Sequence, residues 1–144
     1  MYKRILIPLD ESSLSHAILP HVQAVAQGLD SEMILLHVIP NPVPQFAPST
    51  HPLAWDITKD ERKDIERHLK NLCAEMEKKG ARVTYLMRDG PVAETILEVA
   101  DIMQADMIAM STHGRSGAQL ILLGSVTYQV VRHSPLPVLV IRAK

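Results

Sequence analysis

Five short segments of the chain are apolar almost without interruption: Ile5-Leu6-Ile7, Ile34-Leu35-Leu36-His37-Val38, Val83-Thr84-Tyr85-Leu86, Met107-Ile108-Ala109-Met110 and Val138-Leu139-Val140-Ile141. Continuous hydrophobicity, in place of alternation, is what strands covered on both faces require, and this is the habit of parallel sheets. Between these runs the period becomes helical. In 60–79 the apolar positions Ile65, Leu69, Leu72, Cys73 and Met76 form one stripe opposed by Lys, Arg and Glu. In 91–104 the stripe is Val92, Ala93, Ile96, Leu97, Ala100 and Met103, and in 13–28 it is Leu14, Ala17, Ile18, Val22 and Val25, with Pro20 expected to kink the helix. Strands thus alternate with helices as β-α-β-α-β-α-β-α-β, which predicts an α/β fold, an open five-stranded parallel sheet with right-handed crossovers and helices on both faces.

Local signals place the boundaries. Thr58 with Glu61 reads as a capping box, Pro91 suits a first helical position after Gly90, and Gly28 and Gly80 stand where left-handed C-terminal caps are wanted. The hydrophobic share is 47% but the aromatic share only 3%, so the core is aliphatic. At 144 residues one domain spanning 1–144 is the expectation. One segment departs from the rhythm. Five of the ten prolines lie between Pro40 and Pro52, and the only Phe and Trp, Phe46 and Trp55, share the same 40–57 insertion. It reads either as a surface loop with two hydrophobic anchors or as a flap or partner surface.

Charge and cysteine usage exclude several classes. Fifteen Lys+Arg offset sixteen Asp+Glu, and five aromatics offer little on which to stack bases, so nucleic acid is not expected as a partner. Cys73 is the only cysteine, which precludes an intramolecular disulfide and fits a reducing, cytoplasmic setting. The apolar run after Lys3 and Arg4 meets Asp10 too early for a signal-peptide core, and no stretch reads as a membrane span.

Three of the six glycines fall within eleven residues, in Ser111-Thr112-His113-Gly114-Arg115-Ser116-Gly117 and then Gly124-Ser125. Glycine lets a backbone approach a phosphate with no Cβ in the way. Ser125 stands where it would cap the helix carrying Val126, Val130 and Val131, whose N-terminus would seat an anion. Ligands of open α/β sheets bind beyond the carboxyl ends of the strands, where strand order reverses. If strand one lies beside strand four, Asp10 faces this loop, either as an acceptor for a ribose hydroxyl or a phosphate-bound Mg²⁺, or as a stabiliser of the turn into the first helix.

Other signatures are absent. The chain has no G-x-x-x-x-G-K-[ST], no G-x-G-x-x-G and no G-x-S-x-G, and its seven histidines form no H-x-x-x-H or H-E-x-x-H, so no protein-built metal site is expected. His37 and His113 fall at strand ends near the presumed crevice, as polar lining or as acid–base groups. No residue pattern supplies a catalytic base.

Taken together, these residues resemble the universal stress protein family along the whole chain. The likeness is carried by Tyr2-Lys3-Arg4-Ile5-Leu6-Ile7-Pro8-Leu9-Asp10, Leu35-Leu36-His37-Val38, the Ser111–Gly117 loop, Leu122-Leu123-Gly124-Ser125-Val126 and Pro137-Val138-Leu139-Val140-Ile141-Arg142. The nucleotide-binding branch carries G-x2-G-x9-G-[ST]. Gly114 and Gly124-Ser125 match its second half, and Ser111 stands at its first glycine. The resemblance implies a Rossmann-like sheet of order 3-2-1-4-5 and ATP in the crevice. Adenine would be held by Pro8, Leu9 and Val38, with Asp10, Met110 and Ser111 near the ribose. Phosphates would lie on Gly114, Arg115, Gly117, Gly124, Ser125, Val126 and Thr127, with His113 in the same loop and Mg²⁺ brought by the nucleotide. It also implies a homodimer through the last strand, where Pro135 and Pro137 suit an edge. The expected function is an ATP-binding stress-response sensor or regulator, at most a slow ATPase. The alternative is a nucleotide-independent dimeric interaction module of the same fold, with the Phe46/Trp55 insertion as its partner surface.

Overall fold

The computed structural model describes residues 1–40, 59–112 and 123–142. The 40–57 insertion beyond Pro40, the Thr58 cap, and His113, Gly114, Arg115 and Gly117 lie outside the described residues. The elements run β1 (Arg4–Leu9), α1 (Ser13–His16), α2 (Leu19–Leu29), β2 (Glu32–Pro40), α3 (Lys59–Lys78), β3 (Arg82–Gly90), α4 (Val92–Ile102), β4 (Met107–Ser111), α5 (Ser125–His133) and β5 (Val138–Ile141). All strand pairings are parallel and the order is β3-β2-β1-β4-β5, as expected for this α/β class.

Successive strand residues point to opposite faces, and this alternation builds two cores. Ile5, Ile7 and Leu9 of β1 join Met33 and Leu35 of β2 under α2 and α3, meeting Val22, Ile65 and Leu69. Leu6, Ile34, Leu36 and Ile108 pack on the other face against Ile96 and Val99 of α4 and Val130 of α5. Double burial holds for the centre of the sheet but not for its edges. Every residue of β5 is only half-buried, and β3 is a mixture of buried and exposed positions. An edge strand has one neighbour, so its outer side chains lack a second covering layer.

Three helix boundaries correct the sequence expectation, and the smallest shift is at α4, where Pro91 is the extended N-cap and Val92 the first helical residue. Segment 13–28 is not one kinked helix. It breaks into α1 and α2, because Pro20 in the first turn of α2 has no amide to continue the ladder and Ser12 caps α1 separately. The left-handed terminator of α2 is Asp30 (φ 55°), and Gly28 lies inside the helix. An aspartate tolerates this conformation better than most side chains. Gly80 does close α3 as expected, with φ +86° and the Ala81 amide donating to the Met76 carbonyl.

Gly90 ends β3 with φ +151°, and a Cβ there would stand 2.5 Å from the Thr95 Oγ1. Thr95 is buried in the first turn of α4, so its side chain must shift within a packed environment to admit that Cβ. The Gly90→Ala variant is therefore expected to lose about 1–3 kcal/mol of stability in urea unfolding. A loss below about 0.5 kcal/mol would refute this account of the turn.

Candidate nucleotide site at the sheet's switch point

Strand order reverses between β1 and β4, and the two strands part there. Their register covers Ile5↔Met107 and Leu6↔Ile108, whereas β1 stays paired with β2 out to Leu9↔His37 and β4 with β5 out to Ser111↔Ile141. The carboxyl ends of β1 and β4 therefore diverge. Between them lies a cavity of about 300 Å³, at the lower end of the range for small-molecule sites.

One wall is apolar. Leu36 and Val38 of β2, Val92 and Ile96 of α4, and Met110 of β4 line it, with Pro8, Leu9 and Pro40 at the strand ends. The rest of the lining is mostly polar: Asp10, Ser15, His37, Ser111 and the first turn of α5 from Gly124 to Thr127, in which Val126 is the apolar member. Gly124, not Ser125, is the N-cap of α5, with extended backbone and no side-chain cap. Ser125 is the first helical residue. The first intrahelical bond is from the Tyr128 amide to the Gly124 carbonyl (2.8 Å), so the helix itself uses none of the Ser125, Val126 and Thr127 amides. No acidic side chain occupies this turn, and Arg132 and His133 lie at the far end, which leaves the positive end of the helix dipole facing the cavity.

Two bonds hold the turn in place. The Thr127 hydroxyl donates to the Ser111 carbonyl (2.8 Å), and the Gly124 amide donates to the Thr112 carbonyl (2.6 Å). Both tie the start of α5 to the end of β4, so the polar wall is built on the sheet and not on a free loop.

Asp10 stabilises the turn into α1 and also borders the cavity. It lines the cavity, and its Oδ1 accepts from the Ser12 amide (2.8 Å) and the Ser12 hydroxyl. Its carbonyl accepts from the Ser15 hydroxyl (3.0 Å) and from His16 Nε2 (3.0 Å). His37 is buried and faces both this cavity and a smaller neighbouring one. Among the described residues, no group of three or more His, Cys, Asp or Glu side chains could hold a metal ion, and no helix is long and apolar enough to cross a membrane.

Of the fourteen residues expected at the site, ten (Pro8, Leu9, Asp10, Val38, Met110, Ser111, Gly124, Ser125, Val126 and Thr127) border one cavity. Sequence reasoning missed Ser15, Leu36, Pro40, Val92 and Ile96. Val92 and Ile96 belong to the apolar stripe of α4, and periodicity identifies a stripe without saying where along it the core gives way to a cavity.

The universal stress protein family model matches residues 1–142. The universal stress protein MJ0531 of Methanocaldococcus jannaschii is 32% identical, with 99% of this chain and 83% of that protein aligned. The solved structure of MJ0577 from the same organism superposes with a TM-score of 0.85 at 33% identity, covering 100% of this chain and 98% of that one. A universal stress protein solved in complex with cAMP shares the fold at a TM-score of 0.73 and 23% identity, covering 99% of each chain. A sheet of this order, a cavity at its switch point and these similarities agree, and the chain belongs to the universal stress protein family.

Proposed function

We propose that the chain binds an adenine nucleotide, ATP foremost, in the switch-point cavity and acts as a nucleotide-dependent sensor or regulator in the cytoplasm. The observation that carries this reading is the division of the cavity. An apolar wall of Leu36, Val38, Val92, Ile96 and Met110 suits a flat base, and the acid-free first turn of α5 suits phosphate. A fold relative solved with cAMP supports the choice of adenine. The loop residues His113, Gly114, Arg115 and Gly117 complete the proposed phosphate seat. Asp10 is the carboxylate bordering the cavity, a donor set that fits Mg²⁺ held chiefly by phosphates and water and brought in with the nucleotide.

The half-buried edge of β5 favours a homodimer formed by pairing that strand with a second copy. Dimerisation without nucleotide is the competing reading, and one experiment separates the two. Calorimetric titration of the full chain with ATP, ADP, AMP and cAMP, with and without Mg²⁺, is expected to give saturable binding. Sedimentation of the same samples is expected to give a dimer. No heat from any of the four at millimolar concentration, with a dimer still present, would establish the nucleotide-independent module instead.

A further inference from the structure

Thr127 lies in the first turn of α5 and borders the cavity, yet it is only 4% exposed and its hydroxyl is committed to the protein. A hydroxyl carries one hydrogen, and this one is donated to the Ser111 carbonyl at 2.8 Å. What remains on Thr127 Oγ1 is a pair of acceptor sites, which repel phosphate oxygens. While this bond stands, the side chain adds no donor to the anion seat. The seat consists of the backbone amides of Ser125, Val126 and Thr127, which the helix itself leaves unused.

The place where the hydroxyl attaches decides what the bond does. The Gly124 amide donates to the Thr112 carbonyl (2.6 Å), which fixes one point at the start of the helix and still lets it pivot there. Thr127 supplies a second point, on the neighbouring carbonyl of the same strand end. The anchor is firm. Ser111 and Thr112 are both buried, Ser111 is in register with Ile141 of β5, and the Thr112 amide donates to the Ile141 carbonyl (3.0 Å). Val130 holds the middle of α5 in the core under α4, but apolar contact is non-directional. The two hydrogen bonds therefore set the orientation of the first turn.

We propose that Thr127 is a positioning residue for the anion seat: its hydroxyl straps the first turn of α5 to the end of β4 and so directs the Ser125, Val126 and Thr127 amides into the cavity. The inference rests on the nucleotide reading above and takes the Thr127 hydroxyl out of the ligand set. Amide hydrogen bonds depend on angle, and the dipole effect falls off within the first turn. A turn that frays or rotates thus loses its hold on phosphate before the apolar wall loses its hold on the base. The strap acts more strongly on a nucleotide than on the nucleoside.

The test compares the full-length wild-type chain with Thr127→Val, which keeps the branched shape and loses the hydroxyl, and with Thr127→Ser, which keeps the hydroxyl. Affinities for Mg-ATP and for adenosine are measured by calorimetric titration. In ligand-free protein, NMR follows hydrogen exchange of the Tyr128 amide, which closes the first turn on the Gly124 carbonyl. The Ile108 amide, which donates to the Pro137 carbonyl between β4 and the start of β5, reports the sheet as a control. Thr127→Val is expected to weaken Mg-ATP binding by about tenfold more than adenosine binding, the upper end of what one hydrogen bond contributes. The Tyr128 amide is expected to exchange faster relative to Ile108, and Thr127→Ser is expected to restore both readings. Loss of ATP affinity with Tyr128 exchange unchanged would mark a hydroxyl that contacts phosphate directly and would overturn the strap. Equal losses for ATP and adenosine, or no loss, would overturn it too. A wild-type chain that binds neither ligand would overturn the nucleotide reading, whereas unchanged Tyr128 exchange in Thr127→Val overturns the strap whatever the ligand.

Discussion

Tryptophan in place of Val92 is expected to weaken adenine-nucleotide binding by at least about 100-fold, equivalent to about 2.7 kcal/mol, while the chain still folds. Val92 is partly buried at the first position of α4, after an extended Pro91, and its side chain borders the cavity. Its backbone position is set by the Gly90 turn and by the Thr95 amide donating to the Pro91 carbonyl (2.9 Å). A larger ring there extends into the cavity, so it occupies the apolar wall without displacing the fully buried layer beneath. Base burial is lost because the volume is gone, and phosphate contacts alone recover little in a site open to water. The measurement is calorimetric titration with Mg-ATP alongside circular dichroism. A folded variant that binds as tightly as wild type would show that the ligand sits elsewhere.

The second large effect is on stability. Leu6 of β1 is fully buried at the centre of the sheet, between Ile34 of β2 and Ile108 of β4, and packs towards α4 and α5. Leu6→Ala deletes atoms from a site enclosed on all sides, and leucine truncations of that kind cost about 2–5 kcal/mol, partly as lost transfer energy and partly as an unfilled void. For a chain of this size the melting temperature should fall by roughly 5–15 °C. Val140→Ala on β5 makes the contrast, since Val140 is only half-buried at the sheet edge and its truncation removes less buried apolar surface. Its cost should stay below about 1.5 kcal/mol. Equal losses at the two positions would contradict the division into a sealed centre and an open edge.

Much of the architecture was legible because hydrophobic period is a local property. The apolar runs around Ile5, Ile34, Val83, Met107 and Val138 each became a strand, and the stripes of 60–79 and 91–104 became α3 and α4. Glycine chemistry was legible where backbone strain is local, as at Gly80. It misled at Gly28, because the chain passes into the left-handed conformation two residues later, at Asp30, where the amide of Ser31 returns to the carbonyl of Ala26 (2.8 Å). The break at Pro20 was under-read for a similar reason. A proline sets only a local penalty, and the separate α1 turn exists because Asp10, Ser12 and Ser15 satisfy one another's polar groups. At the site, the polar strand ends and the Gly124-Ser125 joint announced themselves by residue type. The apolar wall did not, since Leu36, Val92 and Ile96 look the same whether they face a helix or a cavity.

The sequence by itself determined which segments are strands and helices and which faces are apolar, and so confined the chain to a parallel α/β sheet. Those are consequences of side-chain period and of proline and glycine stereochemistry, which act over a few residues. Only the tertiary structure decided where β1 and β4 part company, and therefore that there is a cavity and what lines it. It alone brought His68 of α3 against His16 of α1, 52 positions apart. Contacts of that separation depend on how whole elements stack across the sheet, and no local pattern encodes a distance between two side chains that meet only after the chain has closed on itself.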